Sequence, residues 1–324
     1  MFLDIAPIRV DCDPHFKADV LSGFDRRPQR AIPARWLYDH RGSELFEEIT
    51  RLPEYCVARV ETALLEQHCG EIGGLVGPGR AVVEFGAGSS TKTPILLDRT
   101  DPGAYVPIDI SRDFLRQSAA ELAYDFPGLP IWPLDADFTA PLMLPDAVSS
   151  MPKLGFFPGS TIGNLTVYAA TDLLRAMHTT LGADAMLLVG FDLPKDATTL
   201  IPAYDDAQGI TAAFNLNLLH RINRELDGDI PVGAFRHVAR WNEAESRIEM
   251  HLEATRGVAF TIAGRCFRMT GGETVHTENS HKHRLDHARL LLRAGAWSPI
   301  RDWTDADGTF ALILAEARPA AAAP

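Results

Sequence analysis

From residue 80 to residue 192 short apolar runs alternate with amphipathic ones, and this rhythm constrains the fold more than any other feature. AVVEF, AYVPIDIS, LPIWPLDADF, KLGFFPGST and AMLLVGFDL read as buried strands. Between most of them lie STKTPILLDR, DFLRQSAAELAYDF and TDLLRAMHTTL, which read as helices. Strands that alternate with helices predict an α/β fold, a parallel sheet covered on both faces. The rhythm breaks near residue 193. PAYDDAQGITAAFNLNLLHRINREL is helical, and the segment from AFRHV to TGGE alternates in period two with turns, as an antiparallel sheet does. HKHRLDHARLLLRAGAW returns to helix, and SPIRDWTDADGTFALILAEA reads as two closing strands joined by an Asp-Gly turn. The expected layout is one α/β domain, residues 59–194 plus 283–324, interrupted by an α+β domain of residues 1–58 plus 195–282.

The first 30 residues or so read as an arm with little regular structure. Ser43 is placed to cap the helix ELFEEITR, which Pro53 ends. VARVETALLEQHCGEIGGLV carries Val60, Leu64 and Leu65 at helical spacing. The tail ARPAAAAP is low in complexity and expected to fray.

Charge narrows the partners. The net charge is -12 with no basic block, which suits neither nucleic acid nor an anionic membrane. No apolar run approaches the roughly 18 residues of a membrane helix, and no basic segment precedes an apolar core near Met1. Cys12, Cys56, Cys69 and Cys266 fit neither a disulfide framework nor a CxxC site. These features predict a cytoplasmic monomer with free thiols that acts on a small molecule.

The stretch VVEFGAGSSTKTPILL admits three ligands. A triphosphate loop needs GxxxxGK[ST]; Gly86, Lys92 and Thr93 match, but Thr91 stands where the second glycine belongs. A dinucleotide loop needs GxGxxG; Gly86 and Gly88 match, and Thr91 again replaces a glycine. S-adenosylmethionine has no phosphate to wrap, so Ser89, Ser90 and Thr91 are tolerable, and Glu84 suits its ammonium and sulfonium. Asp109, about 20 residues beyond the loop, is placed for ribose hydroxyls. Asp137 and Phe138 are placed for the amine and the face of an adenine.

The segments WLYDHRGSELFEEITRLPEY, EFGAGSSTKT, FFPGSTIGNL, DLPKD, AYDDAQGITAAFNLNLL, ARWNEAESRIEM and TENSHK, taken together and in order, resemble the L-histidine Nα-methyltransferases of ergothioneine biosynthesis. The resemblance runs from about residue 30 to 315. It implies a Rossmann-like class I methyltransferase domain and three successive methyl transfers from S-adenosylmethionine to the α-amine of histidine, giving hercynine. It places cofactor contacts on Tyr55, Gly86, Lys92, Asp109, Asp137 and Phe138, and substrate contacts on Tyr38, Phe46, Gly159, Asn164, Tyr204, Met250, Glu278 and Ser280. The substrates it implies are L-histidine and its mono- and dimethyl intermediates.

Those residue types suit the chemistry. Methyl transfer needs a neutral amine aligned on the S–CH3 axis, so positioning dominates. Asn164 through its amide oxygen and Tyr38 through its hydroxyl can accept from the amine, and Tyr204 can hold the carboxylate. A neutral imidazole has one donor and one acceptor. Glu278 and Ser280, two apart on an extended segment, present both complements on one face. Tyr38 and Phe46 can tolerate a cationic product by cation–π contact. His276, His281, His283 and His287 cluster in sequence but show no ligand set of recognisable spacing, so no metal is expected.

Overall fold

The computed structural model describes residues 13–88 and 92–317. The readings placed on residues 1–12, on Ser89, Ser90 and Thr91, and on the tail from 318 lie outside the described residues.

A seven-stranded sheet forms the centre. Its spatial order is Trp297–Thr304, Phe310–Ala317, Met186–Asp192, Lys153–Phe157, Ala81–Phe85, Ala104–Asp109, Leu134–Asp135. The last five of these pair in parallel. Phe310–Ala317 is antiparallel to both its neighbours. Side chains alternate across the sheet: Val82 enters one apolar cluster, while Val83 and Phe85 enter the other. Helices Val57–Val76 and Val167–Leu181 cover the two faces with Leu64, Leu65 and Ile72 on one side and Leu173, Leu174 and Met177 on the other. Strand order reverses at Ala81–Phe85, whose neighbours are Ala104–Asp109 and Lys153–Phe157. Ligands of open α/β sheets bind outside the carboxyl ends at such a reversal.

A four-stranded sheet, in the order Arg30–Ala31, Thr274–His281, Arg247–Ala254, Phe235–Asn242, and a hairpin of Val258–Ile262 with Arg265–Met269 make up the rest of the β-structure. Thr274–His281 pairs antiparallel with Arg247–Ala254 and slips register between His276 and Glu278, a bulge beside the residues expected to read the substrate. Among the described residues, no helix is long and apolar enough to cross a membrane. Cys56, Cys69 and Cys266 are free thiols.

Four local expectations are corrected. The N-terminal arm contains a helix, Pro14–Asp25, started by the Asp13 carboxylate accepting from His15 N at 2.8 Å and by a proline in its first turn. Phe16, Val20 and Phe24 bury that helix against the core. Helix His40–Thr50 starts at Asp39, which accepts from Gly42 N at 2.8 Å, so Ser43 lies inside the first turn and is not the cap. LPIWPLDADF yields only the two-residue strand Leu134–Asp135 and a bridge from Ile131 to Tyr105, because Pro130 and Pro133 have no N–H to donate. The helical stretch after residue 193 is two helices, Ala197–Tyr204 and Ile210–Glu225. Asp206 separates them by accepting from the amides of Ile210 and Thr211 at 3.0 and 2.7 Å.

Candidate active site

The glycine loop leaves strand Ala81–Phe85 through Gly86 at φ 74° and Gly88 at φ 49°, conformations that residues with a Cβ rarely adopt. Gly86 N and Ala87 N both donate to Ile108 O, at 2.9 and 3.1 Å. Gly88 N donates to Asp109 Oδ2 at 3.1 Å, and Ser111 N to Asp109 Oδ1 at 2.8 Å. Phe138 stands edge-on to Phe85 and Phe157. Gly86, Gly88, Asp109 and Phe138 all line one cleft of about 1120 Å³. Bare backbone, a strand-end carboxylate and an aromatic ring at one edge fit an adenosyl group.

Three residues expected beside the cofactor do not line that cleft. Glu84 is buried beneath the loop, where its Oε2 accepts from Thr93 Oγ1 at 2.6 Å and Tyr105 OH at 2.5 Å. Burial pushes its carboxyl up to about 7, against those two hydrogen bonds. Lys92 is ion-paired to Glu61, a buried acid on helix Val57–Val76. Asp137 points into a smaller neighbouring cavity, where it pairs with Arg35 at 3.1 Å and caps Thr139 N at 2.9 Å. The two residues a phosphate loop would aim at its ligand, Lys92 and Thr93, here face carboxylates.

The far wall of the same cleft gathers Tyr38, Phe46, Tyr55, Gly159, Asn164, Tyr204, Met250, Glu278 and Ser280. Glu278 is its centre. Its Oε1 accepts from Tyr38 OH and from Asn164 Nδ2, each at 3.2 Å. With its N–H turned to Glu278, the Asn164 amide keeps its oxygen as an acceptor. Burial pushes the Glu278 carboxyl up to about 7, with the Tyr38 hydrogen bond and the Lys282 charge opposing. Phe214, Tyr38, Phe46, Tyr55 and Tyr204 form a chain of rings with successive centroids 5.3 to 6.3 Å apart. Burial, reinforced by the nearby carboxylates, holds the hydroxyls of Tyr38, Tyr55 and Tyr204 well above the ordinary phenol range, so all three keep their protons. Ser280 Oγ and Tyr204 OH lie 2.7 Å apart.

A family model described as histidine-specific methyltransferase, SAM-dependent, matches residues 16–317. The chain belongs to this family. It is 40% identical over 309 residues to a histidine N-alpha-methyltransferase of Mycobacterium tuberculosis, covering 92% of this chain and 94% of that protein. It is 38% identical, with the same coverage, to the histidine N-alpha-methyltransferase of Mycolicibacterium smegmatis. The ergothioneine biosynthesis protein 1 of Neurospora crassa is 27% identical, and its match covers 97% of this chain but 37% of that longer protein.

In this histidine-specific methyltransferase only His281 and His283 of the sequence-clustered histidines stay in ring contact with each other. His276 lines the cleft, stacks on His251 with centroids 4.7 Å apart, and contacts Glu278 O through Nε2 at 3.0 Å. His281 Nδ1 meets Gly163 O at 2.8 Å, and His283 stacks on His281. His287 sits in the first turn of helix Leu285–Ala294. Among the described residues Glu249, His251 and His276 could converge on one ion. Glu249 is already occupied, however, by Arg247 at 2.6 Å, Asn242 at 2.9 Å and His251 at 3.1 Å. The Arg247 and Asn242 contacts fall on Glu249 Oε1, and the His251 contact falls on Oε2.

Sequence reasoning missed several supporting residues. Glu61 shares the buried stripe of its helix with Val57, Leu64 and Leu65, and a charge in such a stripe was the readable signal. Its carboxylate also accepts from Gly159 N at 2.8 Å, so one acid ties Lys92 after the glycine loop to the loop carrying Gly159. A Cβ at Gly190 would fall 2.2 Å from Glu61 Oε1. Thr277, in the bulge, donates to Asn215 Oδ1 at 2.7 Å, and this fixes the strand that presents Glu278. Ser111 Oγ donates to Tyr38 O at 2.9 Å and joins the two walls directly. No local pattern marks Thr277 or Ser111. Lys282 and Asp192 belong to the quoted motifs TENSHK and AMLLVGFD, but their pairing at 2.6 Å spans 90 residues.

Proposed function

We propose that this methyltransferase moves methyl groups from S-adenosylmethionine to the α-amino nitrogen of L-histidine, three in succession, to give N,N,N-trimethylhistidine (hercynine) for ergothioneine biosynthesis. The observation that carries the reading is the pair Glu278 and Ser280. They stand on one face of one strand, in the cleft that also contains the glycine loop, in a chain of the histidine-specific family. When bound, S-adenosylmethionine supplies an electrophilic methyl on sulfonium. Gly86, Gly88, Asp109 and Phe138 hold its nucleoside. Lys92, Glu84 and Asp137 support that wall from behind or beside it, and Tyr55 closes it toward the substrate.

Glu278 accepts the ring N–H of the substrate and Ser280 donates to the other ring nitrogen. The Asn164 oxygen and the Tyr38 hydroxyl orient the α-amine lone pair, while Tyr204, expected at the carboxylate, instead turns its hydroxyl to Ser280 at 2.7 Å on the ring side. Gly159 and Met250 shape the space between. Because the cleft tyrosines stay protonated, none is a standing base, and the amine proton leaves to water. Tyr38 and Phe46 face the growing cation with ring π-density. We place the cofactor domain at residues 59–194 plus 283–324 and the substrate domain at residues 1–58 plus 195–282. Every strand of the seven-stranded sheet falls in the first set and every strand of the smaller sheets in the second, which supports the division.

The test is mass spectrometry of the protein incubated with S-adenosylmethionine and an equimolar mixture of the standard amino acids. Histidine alone should gain one, two and then three methyls. Methylation of a different amino acid would overturn the substrate, and cofactor binding without any methylation would overturn the activity.

A further inference from the structure

Ser280 is a weak choice for reading an imidazole unless something sets its polarity, because a free hydroxyl can donate or accept with equal ease. Lys282 follows two residues later and is fully buried. Its ammonium donates to Asp192 Oδ2 at 2.6 Å, to Tyr204 OH at 2.9 Å and to Ser280 Oγ at 2.8 Å. An ammonium has three protons and no lone pair, so all of its capacity is used. Asp192 is also paired with Lys195, so its carboxylate is anchored from two sides.

The rest is a count of protons and lone pairs. Ser280 and Tyr204 are hydrogen-bonded to each other, and the phenol, being the more acidic hydroxyl, is the better donor. Ser280 Oγ then accepts from Tyr204 and from Lys282, which fills both of its lone pairs. Only its proton remains for a ligand. We propose that Lys282, anchored by Asp192, is a positioning residue that makes Ser280 an obligate donor, so that Glu278 and Ser280 together select a neutral ring with one N–H and one bare nitrogen. This rests on the reading that these two residues face the substrate ring. A ring that lacks the bare nitrogen would leave a committed buried donor unpaired, which is how a polar site rejects near-isosteres.

The experiment compares wild type, Lys282→Met, Ser280→Ala and the double variant. It measures KM and kcat for histidine, Kd for S-adenosylhomocysteine, and the melting temperature of each protein. Lys282→Met should raise the histidine KM about tenfold, with kcat changed much less and S-adenosylhomocysteine affinity unchanged. Added to Ser280→Ala, the same change should raise KM less than about twofold, because the group it acts through is gone. An unchanged KM in Lys282→Met, or an equal rise in both backgrounds, would overturn the proposal.

Wild type alone supplies a second check should the variant fail to fold. A pyrrolyl-alanine, with a ring N–H and no bare nitrogen, should lose on the order of a hundredfold in affinity against histidine. A loss of threefold or less would overturn the proposal. No methylation of histidine by wild type would sink the functional reading, whereas methylation with additive variant effects would sink this inference alone.

Discussion

The two ends of the cleft are made by different means. At the proposed cofactor end the lining residues sit at or just beyond the carboxyl ends of strands, Gly86 and Gly88 as bare backbone and Asp109 and Phe138 as side chains, and the bond from Gly88 to Asp109 joins residues 21 apart. At the substrate end the contacts are buried side chains from distant segments. Tyr38 and Glu278 are 240 residues apart, Asn164 and Glu278 are 114, and Tyr204 and Ser280 are 76. Backbone at a strand end survives most side-chain changes, so one sheet can carry many substrates. A wall of buried, mutually hydrogen-bonded side chains is specific, because an ill-matched ligand leaves its groups unpaired.

If the ends are separable in this way, Glu278→Ala should give the largest effect and confine it to one end. It should lower kcat/KM for histidine by about 10²- to 10³-fold while leaving the Kd for S-adenosylhomocysteine within about twofold. A parallel loss of both would break the comparison. Gly86→Ala should do the reverse. Forcing a Cβ into φ 74° costs on the order of 1–2 kcal/mol, so S-adenosylhomocysteine should bind about tenfold more weakly. Histidine discrimination among amino acids should stay as in wild type.

Acidity separates the ends further. Glu278 accepts a ring N–H most strongly when ionised, and burial pushes its carboxyl up to about 7, while free histidine loses its ring proton near its ordinary value of about 6.5. Both changes favour binding as pH rises. Histidine affinity, measured by calorimetry with S-adenosylhomocysteine present, should be about tenfold or more weaker at pH 6 than at pH 8. In Glu278→Gln only the titration of the substrate itself should remain.

The smallest effect belongs to Glu84. Its folded-state value of about 7 lies above the ordinary 4.5, so its contribution to stability is complete at low pH and is lost as pH rises through 7. Glu84→Gln should therefore raise the melting temperature at pH 8 relative to pH 6, compared with wild type, by about 2 °C. Wild-type pH dependence in that variant would move the titration elsewhere.

The sequence was legible where structure is local. Strand, glycine loop and helix are contiguous, so AVVEFGAGSSTKT announced the cofactor edge, and the period-two pattern of RIEMHLEA announced the second sheet. Glu278 and Ser280 were placed on one face because strand periodicity requires it. The same logic failed where a local pattern was overruled or incomplete. Pro130 and Pro133 emptied an apparent strand, Asp13 and Pro14 began a helix inside an apparent arm, and Asp39 took the cap assigned to Ser43. Glu84 by its charge and Lys92 by the family resemblance are expected beside the ligand. Their actual partners, Tyr105 and Glu61, become neighbours only once the sheet and its covering helix are assembled.

Gly190 has a consequence for anyone redesigning this enzyme. It lies in the middle of a buried strand and touches no ligand, yet the space it leaves empty is the seat of the Glu61 carboxylate. That acid holds both the Lys92 ammonium and the Gly159 amide. A single methyl group added at Gly190 would collide with that acid at 2.2 Å and with the Phe310 ring at 2.8 Å, so the contacts of Lys92 and Gly159 depend on a residue outside the cleft lining. Retuning this scaffold for another amino acid therefore has to leave position 190 as glycine, whichever residues of the substrate wall are changed.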